Sequence, residues 1–284
     1  MNILSIQSWV SYGHVGNASA VFPLQRMGID VWAINTVQFS NHTGYGKWTG
    51  QVYTGENVRE LIDGIAERGA LERCNGVLSG YMGDAGIGES ILHAVVRVRE
   101  ANPNALYCCD PVIGDVGRGV FVRPGIPEFM RDRAVPAADI VTPNQFELEY
   151  LSGTTVKKTA DLETAIAKVH AIGPKIVMVT SVQLDDTPDD AVDIVVSAGS
   201  GLMRVRTPLL PIGVNGAGDA IAALFFGKFL QEQSAEAALA HAASATHGLL
   251  KRTAEAGSRE ILTVGAQDEF VSPTTRFSVE HLAR

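Results

Sequence analysis

The chain has 284 residues, of which 46% are hydrophobic and 19% charged, and a formal net charge of −8. That balance belongs to a compact protein with a sizeable core and excludes a disordered one. An acidic surplus with no basic block argues against a nucleic-acid surface, where Lys and Arg supply most of the affinity.

No apolar run approaches the length of a membrane span. No Lys or Arg precedes Arg26, so neither a membrane anchor nor an export signal is expected. Cys74, Cys108 and Cys109 lack zinc spacing and read as reduced thiols of a cytoplasmic protein.

Along the chain, short apolar runs alternate with segments of helical spacing, the pattern of a parallel sheet. A strand is expected over residues 2–7, followed by Ser8 and a helix over 17–27 that stops at Gly28. A second strand over 30–36 leads into a polar stretch reaching Gly46. A helix over 56–68 then ends at Gly69. The next strand, 76–79, precedes Gly80-Tyr81 and a helix over 88–101.

A strand over 105–109 runs into Asp110-Pro111-Val112 and a glycine-rich loop, 114–120, that reads either as a flap over phosphates or as a plain surface loop. The strand 139–142 opens a helix over 146–151, and a further helix covers 161–172. A strand over 175–180 ends at Ser181, and the runs 194–197 and 202–206 form a hairpin about the polar turn 198–201. Helices over 217–231 and 235–253 close the pattern. No repeat or Pro/Ser linker interrupts it, so a single α/β domain over residues 1–284 is expected.

In an open parallel sheet, ligands bind beyond the carboxyl ends of the strands. Ser8, Phe39, His42, Thr43 and Tyr81 fall there and suit a small polar aromatic ligand. For each alone, satisfying local backbone is the plainer role, and His42 is assigned no acid–base work. Asp110, Asn144 and Glu147 can hold hydrated magnesium on a nucleotide phosphate, although Glu147 also suits a first-turn acid on a helix dipole. Thr180 and Ser181 can hydrogen-bond a nucleotide.

The run Asn215-Gly216-Ala217-Gly218-Asp219 enters an apolar helix. Its unpaired N–H groups and partial positive charge can hold a phosphate, with Asp219 beside it as a base. An ordinary N-cap remains the alternative. No G-x-x-x-x-G-K-[ST] motif occurs, since Phe229 follows Gly227-Lys228 and Trp48 follows Gly46-Lys47. Gly216-Ala217-Gly218 does not follow the first strand and lacks the third glycine of a dinucleotide fingerprint, which disfavours hydride transfer.

Together these residues resemble the pyridoxal kinases of the ribokinase-like superfamily over nearly the whole chain. The resemblance rests on Gln7-Ser8 with Tyr12-Gly13-His14-Val15-Gly16-Asn17, on the stretch from Asn35 to Thr43, and on Ser79-Gly80-Tyr81. It extends to Cys109-Asp110-Pro111-Val112, the stretch from Thr142 to Glu147, and Gly216-Ala217-Gly218-Asp219. It implies a ribokinase-like three-layer sandwich, with a mostly parallel central sheet and helices on both faces. The implied reaction moves the γ-phosphoryl group of ATP to the hydroxymethyl oxygen of pyridoxal, giving pyridoxal 5′-phosphate, with pyridoxine and pyridoxamine as further acceptors.

By the same resemblance, Ser8, Thr43 and Tyr81 contact the pyridine substrate, and Val37, Phe39, His42 and Gly44 line its pocket. Asp219 is the base, and the backbone of Gly216, Ala217, Gly218 and Asp219 forms the anion hole. Asp110 and Glu147, with Asn144, manage Mg2+ and the phosphates of ATP. Thr142, Thr180 and Ser181 lie along the nucleotide, and Thr207, Pro208, Leu209 and Leu210 border the adenine. The family also implies a cytoplasmic homodimer and admits a monovalent cation.

Two departures stand out: Thr180 and Thr207 occupy positions where one bacterial branch carries Lys and Arg, and the stretch 207–214 is shorter than there. The competing readings are a hydroxymethylpyrimidine kinase, whose members commonly place Cys at the position of Asp219, and a low-turnover vitamin B6 carrier.

Overall fold

The computed structural model describes residues 1–282. Its strands are β1 (Asn2–Tyr12), β2 (Asp30–Asn41), β3 (Gly50–Val52), β4 (Cys74–Ser79), β5 (Leu106–Cys109), β6 (Gly114–Asp115), β7 (Gly119–Val120), β8 (Ile140–Val141), β9 (Ile176–Val182), β10 (Ala191–Ala198), β11 (Gly201–Pro208) and β12 (Glu280–Leu282). The helices are α1 (Asn17–Arg26), α2 (Gly55–Glu67), α3 (Ala85–Ala101), α4 (Ile126–Phe129), α5 (Val135–Ala137), α6 (Gln145–Ser152), α7 (Thr159–Ala171), α8 (Ala217–Glu232) and α9 (Ala235–Glu255).

Ten strands form one sheet in the order β12-β11-β10-β9-β8-β5-β4-β1-β2-β3. The centre, from β9 to β2, is parallel, and both edges are antiparallel. Alternation along β1 shows how two cores arise: Leu4 and Ile6 pack with α2, α3, α6 and α7, whereas Ile3 packs with α1, α8 and α9. This is the three-layer α/β arrangement expected from the resemblance. Ala220 to Gly227 are all buried, as befits a helix apolar on every side. Its burial fixes the first turn of α8 at the carboxyl edge of the sheet.

β1 and β2 continue past residues 7 and 36, where the sequence pattern ended them. Gln7 pairs with Asn35 but Trp9 with Gln38, so β2 bulges by one residue opposite Ser8. Beyond the bulge the two strands carry their own small core of Val10, Val15, Val37 and Phe39. Ser8, Val37 and Phe39 therefore ride on strands and not on loops, with His42 and Thr43 just past the end of β2 and Tyr81 in the loop after β4. The stretch 114–120 is likewise the hairpin β6–β7. α4, a π-helical turn over Met130–Ala134 and α5 fill a segment without a long apolar period, and the three cysteines are free and buried. Among the described residues, no helix is long and apolar enough to cross a membrane.

Candidate active site

A cleft of about 340 Å³ opens at the carboxyl edge of the parallel strands. One wall is the start of α8. Gly216 caps it with φ +90°, and a Cβ there would lie 1.9 Å from the His14 carbonyl oxygen. No other residue fits, because the β1–α1 loop presses directly on this turn. Ser19 Oγ also donates to the Gly216 carbonyl at 2.8 Å. The first-turn N–H groups of α8 have no intrahelical acceptor, so they can receive an anion. Asp219 sits in that turn. Burial pushes its carboxyl up to about 6, against the lowering effect of backbone N–H groups of Gly16 and Asp219 itself.

The opposite wall carries the β1 and β2 extensions. A Cβ on Gly16 would meet Ser8 Oγ at 2.3 Å, so Ser8 is held against the start of α1. Thr36 Oγ1 donates to the Tyr81 carbonyl at 2.7 Å and fixes the β4–α3 loop. At the tip of β2, His42 Nδ1 accepts the Gly44 N–H at 3.1 Å. That leaves the ring proton on Nε2, and burial followed by the Arg118 charge lowers the histidine's proton affinity. His42 is thus a neutral donor, consistent with its lack of an acid–base assignment.

Between the walls lie the acids. Thr142 Oγ1 donates to Asp110 Oδ1 at 3.0 Å, and Asp110 is raised well above the carboxylate range by burial, then by Glu147 and Asp219. Glu147 and Asn144 form a reciprocal capping box at the start of α6. Glu147 also accepts from the N–H groups of Ile113 at 2.9 Å and Gly114 at 3.4 Å. Burial still pushes it up to about 7, with those backbone donors opposing.

β9 contributes a second bulge: Val182 pairs with Asp193 and Val179 with Val195, so Thr180 and Ser181 share one partner position. Ser181 takes φ +54° there, a left-handed conformation that a serine adopts at some cost.

The cleft gathers Ser8, Val37, Phe39, His42, Thr43 and Tyr81 with Asp110, Thr142, Asn144, Glu147, Thr180, Ser181 and the Gly216, Ala217, Gly218 and Asp219 turn. Gly44, Thr207, Pro208, Leu209 and Leu210 are not among its lining residues. Thr207 is tied up in the sheet opposite Val192. Val10, Val15 and Phe121 line the cleft although the sequence pattern does not mark them as site residues, and Arg118 lines it from the stretch read as either a flap over phosphates or a plain surface loop. Ser8 and Val10, two residues apart and so on one face of a strand, are a readable sign that β1 continues. Nothing in residues 114–121 marks a hairpin.

Among the described residues, no group of three or more His, Cys, Asp and Glu could hold a metal. Mg2+ needs only one or two carboxylates beside water and phosphate oxygens. Asp110 fits this, since only one of its carboxylate oxygens accepts a protein hydrogen bond. Glu147 spends both oxygens on backbone N–H groups, so it would reach a cation through water.

A buried carboxyl without a cationic partner costs stability. Asp110→Asn keeps an oxygen for Thr142 and removes the charge. Because the folded-state pKa is raised, wild-type stability falls as pH rises above the unfolded value of about 4. The variant should therefore be more stable at pH 7 by about 0.5–2 kcal/mol, with the gain vanishing near pH 4. Denaturant titration at the two pH values checks this, and a variant less stable than wild type at pH 7 would contradict it.

A match to the phosphomethylpyrimidine kinase family covers residues 74–264. The chain is 62% identical to pyridoxal kinase PdxY of Granulibacter bethesdensis, over 98% of each protein. It is 57% identical to pyridoxal kinase PdxY of Rubrobacter xylanophilus, over 100% of this chain and 98% of that protein. Its fold superposes on the pyridoxal kinase of Leishmania donovani in complex with ADP and pyridoxine with a TM-score of 0.91, at 32% identity and 99% coverage of both chains.

Proposed function

The chain belongs to the phosphomethylpyrimidine kinase family, among its pyridoxal kinases, and from that premise we propose how its cleft performs the reaction. It is an ATP-dependent kinase that phosphorylates the hydroxymethyl oxygen of pyridoxal to give pyridoxal 5′-phosphate. One observation carries the residue assignments: Asp219 and the first turn of α8 share a single cleft with the β1–β2 rim and with Asp110.

The pyridine ring packs against Val37 and Phe39, while Ser8, Thr43, Tyr81 and the Nε2–H of His42 meet its polar edge, with Gly44 shaping the His42 turn. This directs the hydroxymethyl group to Asp219, which takes its proton. The freed oxygen attacks the γ-phosphorus as the bond to the bridging β–γ oxygen breaks, and ADP leaves with that electron pair. N–H groups of Gly216 to Asp219 receive the charge gathering on the transferred phosphoryl oxygens.

Thr142, Asn144, Thr180 and Ser181 hold the nucleotide beside Asp110. Mg2+, held by Asp110 and through water by Glu147, would supply neutralising charge on the phosphates. Family resemblance further supports a homodimer in the cytoplasm.

The acceptor test compares kcat/KM for pyridoxal with that for hydroxymethylpyrimidine under Mg-ATP. A preference for pyridoxal of at least about 100-fold is expected, and equal or reversed values would overturn the reading. The pH profile tests the base. Asp219 must be ionised to accept the proton and titrates at about 6, so kcat/KM for pyridoxal should fall about tenfold per pH unit below that value. A profile still flat at pH 5 would remove Asp219 from the role.

A further inference from the structure

Charge is distributed unevenly over the cleft. Asp110, Asp115, Glu147 and Asp219 line it, and among the described residues Arg118 is the one lysine or arginine that does so. A nucleoside triphosphate adds several further negative charges to this surface. The two positions that carry Lys and Arg in one bacterial branch supply no cation. Thr180 lines the cleft as a buried hydroxyl, and Thr207 is buried in β11 outside the lining.

Arg118 stands at the tip of the β6–β7 hairpin, whose base is rigid. Glu147 accepts from Ile113 and Gly114 there, and Asn144 Nδ2 donates to the Gly114 carbonyl at 2.8 Å. A Cβ on Gly114 would lie 2.4 Å from the Gly119 carbonyl oxygen, so the two strands close as tightly as glycine permits. The tip is open. Gly117 and Gly119 flank Arg118 with φ +78° and +68°, and Val116 is 69% exposed. The guanidinium rests 4.9 Å from the Phe121 ring centroid. Its field also reaches His42, which places it at the border of the substrate and phosphate halves.

We propose that Arg118 binds the β- and γ-phosphate oxygens of ATP and supplies the cationic charge that Thr180 and Thr207 do not. This rests on the cleft being the ATP site. A guanidinium offers a planar fork of donors matched to phosphate oxygens. It rests over the Phe121 ring, and its hairpin is anchored to the same Asn144–Glu147 pair that borders the nucleotide. Glu147 thereby has a role that needs no metal: it fixes the base from which Arg118 reaches.

The test measures the Kd of Mg-ATP, Mg-ADP and AMP for wild type, Arg118→Ala and Arg118→Lys by calorimetry, with wild-type turnover assayed in the same preparation. Arg118→Ala should weaken ATP about 10–100-fold, ADP by less, and AMP hardly at all. Arg118→Lys should restore part of the ATP affinity, and the salt dependence of ATP binding should be shallower in Arg118→Ala. Equal losses for all three nucleotides would mark Arg118 as merely structural, and unchanged ATP affinity would remove it from the phosphate site; either overturns the proposal. A wild type that turns over with ATP beside an unaffected Arg118→Ala would sink Arg118 alone. A wild type that neither binds nor uses ATP would sink the reading of the cleft itself.

Discussion

Replacing Asp219 by Asn should lower kcat with pyridoxal by about 10²–10⁴-fold and leave the Kd for pyridoxal within a few-fold of wild type. The amide has nearly the same shape, and its oxygen can still accept the Gly16 N–H that helps hold the carboxylate. It cannot take a proton. A base acts chiefly as the substrate hydroxyl gives up its hydrogen, so the loss belongs to the transition state and not to the bound ground state. The burial that pushes Asp219 up to about 6 brings its basicity closer to neutral pH than a solvated Asp would be. Turnover near wild type in Asp219→Asn would mean that another group, or bulk water, takes the proton. A large rise in the Kd for pyridoxal would instead assign Asp219 to binding.

Gly216→Ala should be nearly as damaging to turnover and far worse for the fold. The residue sits at φ +90°, with space for a Cβ occupied by the His14 carbonyl at 1.9 Å and the Ile261 Cδ1 methyl at 3.0 Å. The left-handed backbone alone costs an alanine about 1–2 kcal/mol. The carbonyl cannot yield without moving the β1–α1 loop, because that loop also bears on Ser8 through Gly16. We expect a stability loss above about 2 kcal/mol and a fall in kcat of about 100-fold as the anion-binding turn shifts.

Gly218→Ala provides the contrast. A Cβ on Gly218 would meet no atom within 4 Å, and its φ is not positive, so its substitution should leave melting unchanged or slightly improved. Melting temperatures and kcat for the two variants separate the cases, and similar behaviour of both would contradict the geometric account.

Much of the site was legible because parallel strands announce themselves as short apolar runs and because ligands gather at their carboxyl ends. Ser8, Tyr81, Asp110, Thr142 and Ser181 follow from that rule, the Gly216–Asp219 turn follows from its place at a helix start, and all share the cleft. The hairpin of β10 and β11 was visible in its polar turn. The extension of β1 and β2 was not, since it depends on Val10, Val15, Val37 and Phe39 meeting one another across the bulge at Ser8. Such contacts exist only after the chain has folded.

The β6–β7 hairpin is harder still. Each of its strands has two residues, and what holds it is a carboxylate from α6 on its backbone N–H groups. Glu147 looks like a phosphate or metal residue in the sequence partly because its backbone partners, Ile113 and Gly114, lie more than thirty positions away. Residues 207–210, expected along the adenine, do not line the cleft for a related reason, whereas Val214 further along the same stretch does. β11 pairs with β10 as far as Pro208, which commits Thr207 to the sheet.

The most direct measurement incubates the wild-type chain with Mg-ATP and pyridoxal and quantifies ADP and pyridoxal 5′-phosphate in the same samples over time. The two products should rise together in equal amounts, with neither formed when pyridoxal or ATP is left out. Pyridoxal bound tightly without ADP release, or ADP accumulating without pyridoxal 5′-phosphate, would contradict the proposed transfer.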